Sequence, residues 1–117
     1  MPPEYLDAHN RGFVAVRGRV YLAPLGEAGH KYWLCVSNNV RNRQLGEFLC
    51  VRLTTTPKPV LPTIVELTPA DRPFSGRIVC DDLGPIYPDD VREDSGALSA
   101  ATMRRVDAGL KAALALT

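Results

Sequence analysis

From residue 13 onward, apolar and polar side chains alternate along much of the chain, the period-two signature of strands buried on one face. Val14 and Val16, then Val20 and Leu22, are candidate inward positions around Arg17-Gly18, and Pro24 with Gly26 ends that segment. Residues 32–36 (Tyr-Trp-Leu-Cys-Val) and 48–53 (Phe-Leu-Cys-Val-Arg-Leu) predict two further strands framing a polar loop with Asn38, Asn39, Arg41 and Arg43. Another strand is predicted over 63–67, after Pro57, Pro59 and Pro62 forbid regular pairing, and another over 76–83. Residues 89–96 read as a polar loop. The period then changes: Met103, Val106, Leu110 and Ala113/Leu114 recur at three- and four-residue steps, predicting an amphipathic helix over residues 98–116. Ser99 suits its N-cap, and Leu98 with Met103 fits a hydrophobic staple. Gly109 inside that helix costs about 1 kcal/mol relative to alanine, so packing must hold it. Short strands, frequent turns and one closing helix predict a mainly β (α+β) fold, a small curled β-barrel with a C-terminal helix.

The chain has 117 residues, enough for one core without metal or disulfide support. Residues 1–12 read as a loose lead-in and 13–117 as a single domain. A net charge of +1 advertises no global basic field, so any nucleic-acid site must be local. No apolar run reaches transmembrane length, and the first ten residues lack a signal peptide's apolar core, which predicts a cytoplasmic protein without membrane partners. Cys35, Cys50 and Cys80 lie inside apolar runs without metal-ligand spacing, as buried reduced thiols do. No metal or cofactor is expected.

Lys31 precedes one strand and Thr54-Thr55-Thr56 ends the other, a layout that offers cationic and hydroxyl groups to an anionic ligand. Parity supports it. If Leu34 and Val36 share a core with Leu49, Val51 and Leu53, then Lys31, Arg52 and Thr54 share the opposite surface. By residue type alone, Lys31 reads as a solvated charge and the threonines as a β-propensity run. Trp33 reads equally as core, interface or base platform, Arg41-Asn42-Arg43 as a solvated turn, and Asp81-Asp82 as a strand-end turn.

Several short motifs, in order, resemble the MazF/PemK family of type II toxins. Arg17-Gly18-Arg19-Val20-Tyr21 sits where that family has its opening Arg-Gly-Asp-(Val/Ile)-(Tyr/Trp) strand. Gly26-Glu27-Ala28-Gly29-His30-Lys31 stands for its Gly/Glu/Gln-rich loop and arginine, and Asn42-Arg43 for an Asn-Arg pair. An apolar strand capped by Thr54, the stretch Leu61-Pro62-Thr63-Ile64-Val65-Glu66 and the apolar final helix complete the series. The chain departs at the family's Arg-Pro, which is Lys31-Tyr32 here, and at a Gln-(Ile/Val)-(Arg/Lys) stretch replaced by Asp82-Leu83-Gly84. Lysine offers a point charge where arginine offers a planar fork.

The resemblance implies an SH3-like barrel, a homodimer, a proteinaceous antitoxin partner and metal-free cutting of single-stranded RNA, giving 2′,3′-cyclic phosphate and 5′-hydroxyl ends. Such cutting needs a base for the 2′-hydroxyl, an acid for the leaving oxygen and positive charge for the phosphorane. Lys31 and Thr54 are the candidate cleavage centre, and His30 is a candidate proton shuttle. Glu27, Tyr32, Trp33, Ser37, Arg41, Arg43, Arg52 and Thr55 are candidate RNA contacts, the aromatics through stacking. Two rival readings are a non-enzymatic toxin of the same fold that binds a protein, as a gyrase poison does, and an inactive RNA- or antitoxin-binding module.

Overall fold

A computed structural model describes residues 12–27 and 29–116. The expected lead-in, apart from Gly12, therefore lies outside the described residues. Six strands, β1 (Arg19–Pro24), β2 (His30–Cys35), β3 (Phe48–Thr54), β4 (Ile64–Glu66), β5 (Arg77–Ile86) and β6 (Glu93–Ala97), form one antiparallel sheet. Their order is β4-β5-β3-β2-β1-β6. The mainly β fold with a C-terminal helix is the one expected, and among the described residues no ladder joins β4 to β6, so the curled sheet is not closed.

Alternation along β2 and β3 divides the interior. Leu34, Val36, Val51 and Leu53 join Val20, Ile78 and Val106 in a cluster between the sheet and the C-terminal helix, with Leu49 packed against it. Trp33, Cys35, Phe48 and Cys50 join Tyr21, Ala15 and Ile86 in a second cluster on the other face. The parity reading holds for the first cluster, but the opposite face is largely a core of its own, not a solvent surface.

Helix α2 (Ala100–Leu114) starts where expected, with the Ser99 hydroxyl accepting from the Thr102 N–H. Gly109 is there for contact, not for flexibility: a β-carbon at this position would lie 2.7 Å from Cys80 Sγ and 3.3 Å from Val65. Its absence lets the helix press onto β4 and β5. Asp71, fully buried, ties that helix to the sheet by accepting from the Ser99 and Thr68 N–H groups and from the Thr102 hydroxyl at 2.6 Å. Burial alone raises a carboxyl's pKa, but these hydrogen bonds, led by Thr102, outweigh it and bring Asp71 down to about 2.

Three expectations are corrected. Residues 39–44, expected in a polar loop, form a short helix, α1 (Asn39–Gln44), because the Asn38 side chain caps it by accepting from the Val40 and Arg41 N–H groups. Residues 93–97, also expected as loop, are strand β6, paired with β1 through its backbone. Asp81-Asp82 lies within β5, which runs on through Pro85. There β5 pairs with β3, and β4 covers only Arg77 to Val79, so the missing proline N–H costs no ladder bond on that side.

Candidate active site

The β2–β3 register pairs Trp33 with Arg52 and Cys35 with Cys50. Beyond Trp33 the two strands pair with their other neighbours, Lys31 with Ala23 on β1 and Thr54 with Arg77 on β5. The Val36 N–H donates to the Leu49 carbonyl at 2.9 Å, which makes those two a hydrogen-bonded pair. Alternation then makes Cys35/Cys50 and Trp33/Arg52 the narrow pairs, whose side chains lie closest across an antiparallel ladder, and puts Lys31 and Thr54 on the face that these side chains share. The ammonium-bearing and hydroxyl-bearing side chains predicted from sequence therefore leave the same face at neighbouring strand tips.

Both are half-buried, and Lys31 has no ion-pair partner among the described residues. Thr54 Oγ1 accepts from the Thr56 N–H at 3.1 Å, which leaves the hydroxyl proton available to a ligand oxygen. A support that sequence reading missed lies beside it. Arg77, opposite Thr54 on β5, binds Glu66 through two nitrogens and donates to the Thr55 and Thr56 carbonyls at 3.0 Å each. The hydrogen bond to Arg77 pulls the Glu66 carboxyl below its ordinary range, and the same bond raises the guanidinium. Gly76 is the second support: with φ at +95°, it passes so close to the strand tip that a β-carbon would meet the Thr54 carbonyl oxygen at 2.3 Å.

A cleft of about 410 Å³ opens at the same tips, lined by Tyr32, Leu53, Thr54 and Thr55, by residues 73–75 and by Glu93, Asp94 and Ser95 of β6. Tyr32 is 41% exposed and meets Phe74 edge-on at a centroid distance of 5.5 Å. Lys31 is not among the lining residues, since alternation turns it to the other face from Tyr32.

The remaining candidates separate. His30 opens β2, so it too alternates away from Lys31; it is exposed, as is Glu27 in the preceding turn. Trp33 is 8% exposed and donates its indole N–H to the Ala23 carbonyl. It is a core residue and offers no stacking platform. Ser37 is buried and structural, accepting from the Leu49 N–H and donating to Asn42. Arg52 is paired with Asp82 and Arg41 with Glu47, each with a carboxylate already in contact. Arg43 is exposed on α1, away from both tips in sequence, and Thr55 lines the cleft. The three cysteines are buried and free; burial raises all three thiols, Cys80 to about 11.

Comparison with known proteins identifies the family. Residues 16–114 match the model of a family described as PemK-like, MazF-like toxin of type II toxin-antitoxin system. The chain is 40% identical over 101 residues to an endoribonuclease MazF1 of Mycobacterium bovis, covering 86% of this chain and 93% of that protein. An endoribonuclease MazF4 of Mycobacterium tuberculosis matches at the same identity and coverage. Among solved structures, a mycobacterial endoribonuclease in complex with its cognate antitoxin superposes with a TM-score of 0.82 at 39% identity, over 88% of this chain and 97% of that one. A MazE-MazF structure from Deinococcus radiodurans shares the fold at a TM-score of 0.74 and 20% identity, over 90% of this chain and 99% of that one.

Proposed function

This chain belongs to the PemK-like, MazF-like family of type II toxin-antitoxin toxins, and from that premise we propose that it cuts single-stranded RNA at the β2–β3 strand tips, without a metal ion. The observation that carries the reading is that Lys31 and Thr54 leave the same face at neighbouring strand tips, a cation with no counter-ion among the described residues and a hydroxyl whose proton is free to be donated. A scissile phosphate seated there has its nonbridging oxygens neutralised by the ammonium and hydrogen-bonded by the threonine. That stabilisation grows as charge builds in the phosphorane, which is where it lowers the barrier. The substrate's own 2′-hydroxyl attacks phosphorus, the 5′-oxygen leaves, and the products are a 2′,3′-cyclic phosphate and a 5′-hydroxyl end. Lys31 is placed to protonate the leaving oxygen. A hydroxyl cannot take the 2′-proton at neutral pH, so that step falls to Glu27, the exposed carboxylate in the turn leading into β2.

The endoribonuclease activity carried in the names of the mycobacterial relatives supports this reading, and so does the cognate antitoxin bound to one of them. We infer the same class of partner here, with the toxin acting as a homodimer in the cytoplasm, where its RNA would be. No helix among the described residues is long and apolar enough to cross a membrane.

The test is incubation of the purified chain with a long single-stranded RNA in EDTA. Fragments with 5′-hydroxyl ends are expected. Intact RNA under conditions where the protein is folded would overturn the proposal and favour a toxin that acts by binding alone.

A further inference from the structure

Directly opposed residues run across three strands on the cleft side of the sheet, and Leu53 of β3 lines the same cleft. Tyr32 stands opposite Leu22 on β1, and Leu22 opposite Glu93 on β6. Tyr32 and Glu93 therefore bound one cleft, an exposed aromatic ring and a carboxylate separated by a single strand.

Glu93 differs from its neighbour Asp94 in the same cleft, which is neutralised by Arg19. Glu93 has no cation partner among the described residues; its Oε2 accepts one hydrogen bond, from the Ser95 hydroxyl at 2.9 Å. That bond uses the serine's only proton, so the β6 wall presents acceptors to the cleft. A carboxylate without a counter-ion repels phosphate, which keeps the nucleic-acid backbone off this wall. It accepts readily from N–H donors, and the exocyclic amino groups of cytosine, adenine and guanine are such donors. Uracil carries a carbonyl oxygen at C4 where cytosine carries its amino group, and at that edge position it would set lone pairs against lone pairs.

We propose that the cleft is a nucleobase subsite that selects a base bearing an exocyclic amino group and disfavours uracil, with Tyr32 stacking on the base and Glu93 accepting from its amino group. The proposal rests on the RNA-cutting reading and names its specificity determinant. Lys31 and Tyr32 are consecutive and face opposite sides of the strand tip, so a strand draped over the tip sets a phosphate on one side and an adjacent base in the cleft. Thr54 touches both.

Binding, not cutting, tests the subsite. Uncleavable 2′-deoxy heptamers of uracil nucleotides, switched to cytosine at one position at a time, are titrated against the full chain. At one position the switch is expected to tighten binding about tenfold, the worth of a good base-edge contact. Glu93→Gln, at an exposed position, should keep the melting temperature and abolish that preference, because an amide N–H₂ can donate to the uracil carbonyl. Equal binding of all heptamers by the wild type would overturn the proposal, and so would a preference that survives Glu93→Gln. The outcome is independent of turnover. A cytosine preference in a chain that cuts no RNA keeps the subsite and removes the nuclease, and cutting without any preference does the reverse.

Discussion

Gly76→Ala isolates the support of the strand tip from the chemistry performed there. The added β-carbon would lie 2.3 Å from the Thr54 carbonyl oxygen and 3.0 Å from Thr55 Cα, and both neighbours are backbone. A comfortable carbon–oxygen contact is about 3.3 Å, so the tip must retreat by about 1 Å. A non-glycine residue at φ +95° adds strain of about 1–3 kcal/mol. Together with the clash, this gives an expected destabilisation of about 2–4 kcal/mol. For a domain of this size that lowers Tm by about 10 °C. In cutting assays run well below the shifted midpoint, a displacement of about 1 Å should cost about a hundredfold in rate. Gly84→Ala is the control, since nothing lies within 4 Å of the β-carbon it would add; its stability should stay within about 0.5 kcal/mol of wild type. A Gly76→Ala protein with wild-type melting and wild-type cutting would refute the geometry, as would equal losses in both variants.

Lys31→Ala should lower cutting by about a hundredfold or more with Tm unchanged, whereas Lys31→Arg should retain activity if charge on the phosphate is what the site supplies; an Ala variant that cuts normally would remove Lys31 from the mechanism. Asp71 falls from an ordinary 3.8 to about 2 on folding. Its contribution of about 2–3 kcal/mol is therefore present above pH 4 and lost as pH drops through 2. Asp71→Asn should lose that amount at pH 7, with urea midpoints that vary less between pH 4 and 2 than those of wild type. Gly109→Ala should destabilise by about 1–2 kcal/mol in chemical unfolding despite the better helix propensity, because the methyl group meets Cys80 Sγ at 2.7 Å; a gain in stability would mean that the helix does not press on β5.

What could be read from the residues was what repeats. β2, β3 and α2 announced themselves because their side chains alternate or recur in step with burial, and the face shared by Lys31 and Thr54 was expected from strand ends and parity. β6, Glu-Asp-Ser-Gly-Ala, has no apolar alternation to read. It is an edge strand held by backbone bonds to β1, and those leave no mark on composition. Helix α1 is too short for periodicity, although Asn38 before it was a cap signal that could have been used. Ser37 was taken for an RNA contact, and Trp33 could not be told from one, for a common reason. Alternation tells which residues share a face but not whether that face is covered, and here a second cluster covers it. Arg77, Gly76 and Glu93 reach the site from β5, its approach and β6, more than twenty residues beyond Thr54 in each case, and only the register brings them there.

The double-sided packing of β2 and β3 has a consequence for how this protein can change. Over most of their length both faces of these strands are filled, so a substitution there perturbs one cluster or the other. The tips escape this constraint, and side chains such as Lys31, Tyr32 and Thr55 stand where volume and polarity can vary at little expense to folding. Drift in target choice is thereby uncoupled from drift in stability, and a lineage of such toxins can diversify in what it attacks while inheriting an unaltered scaffold.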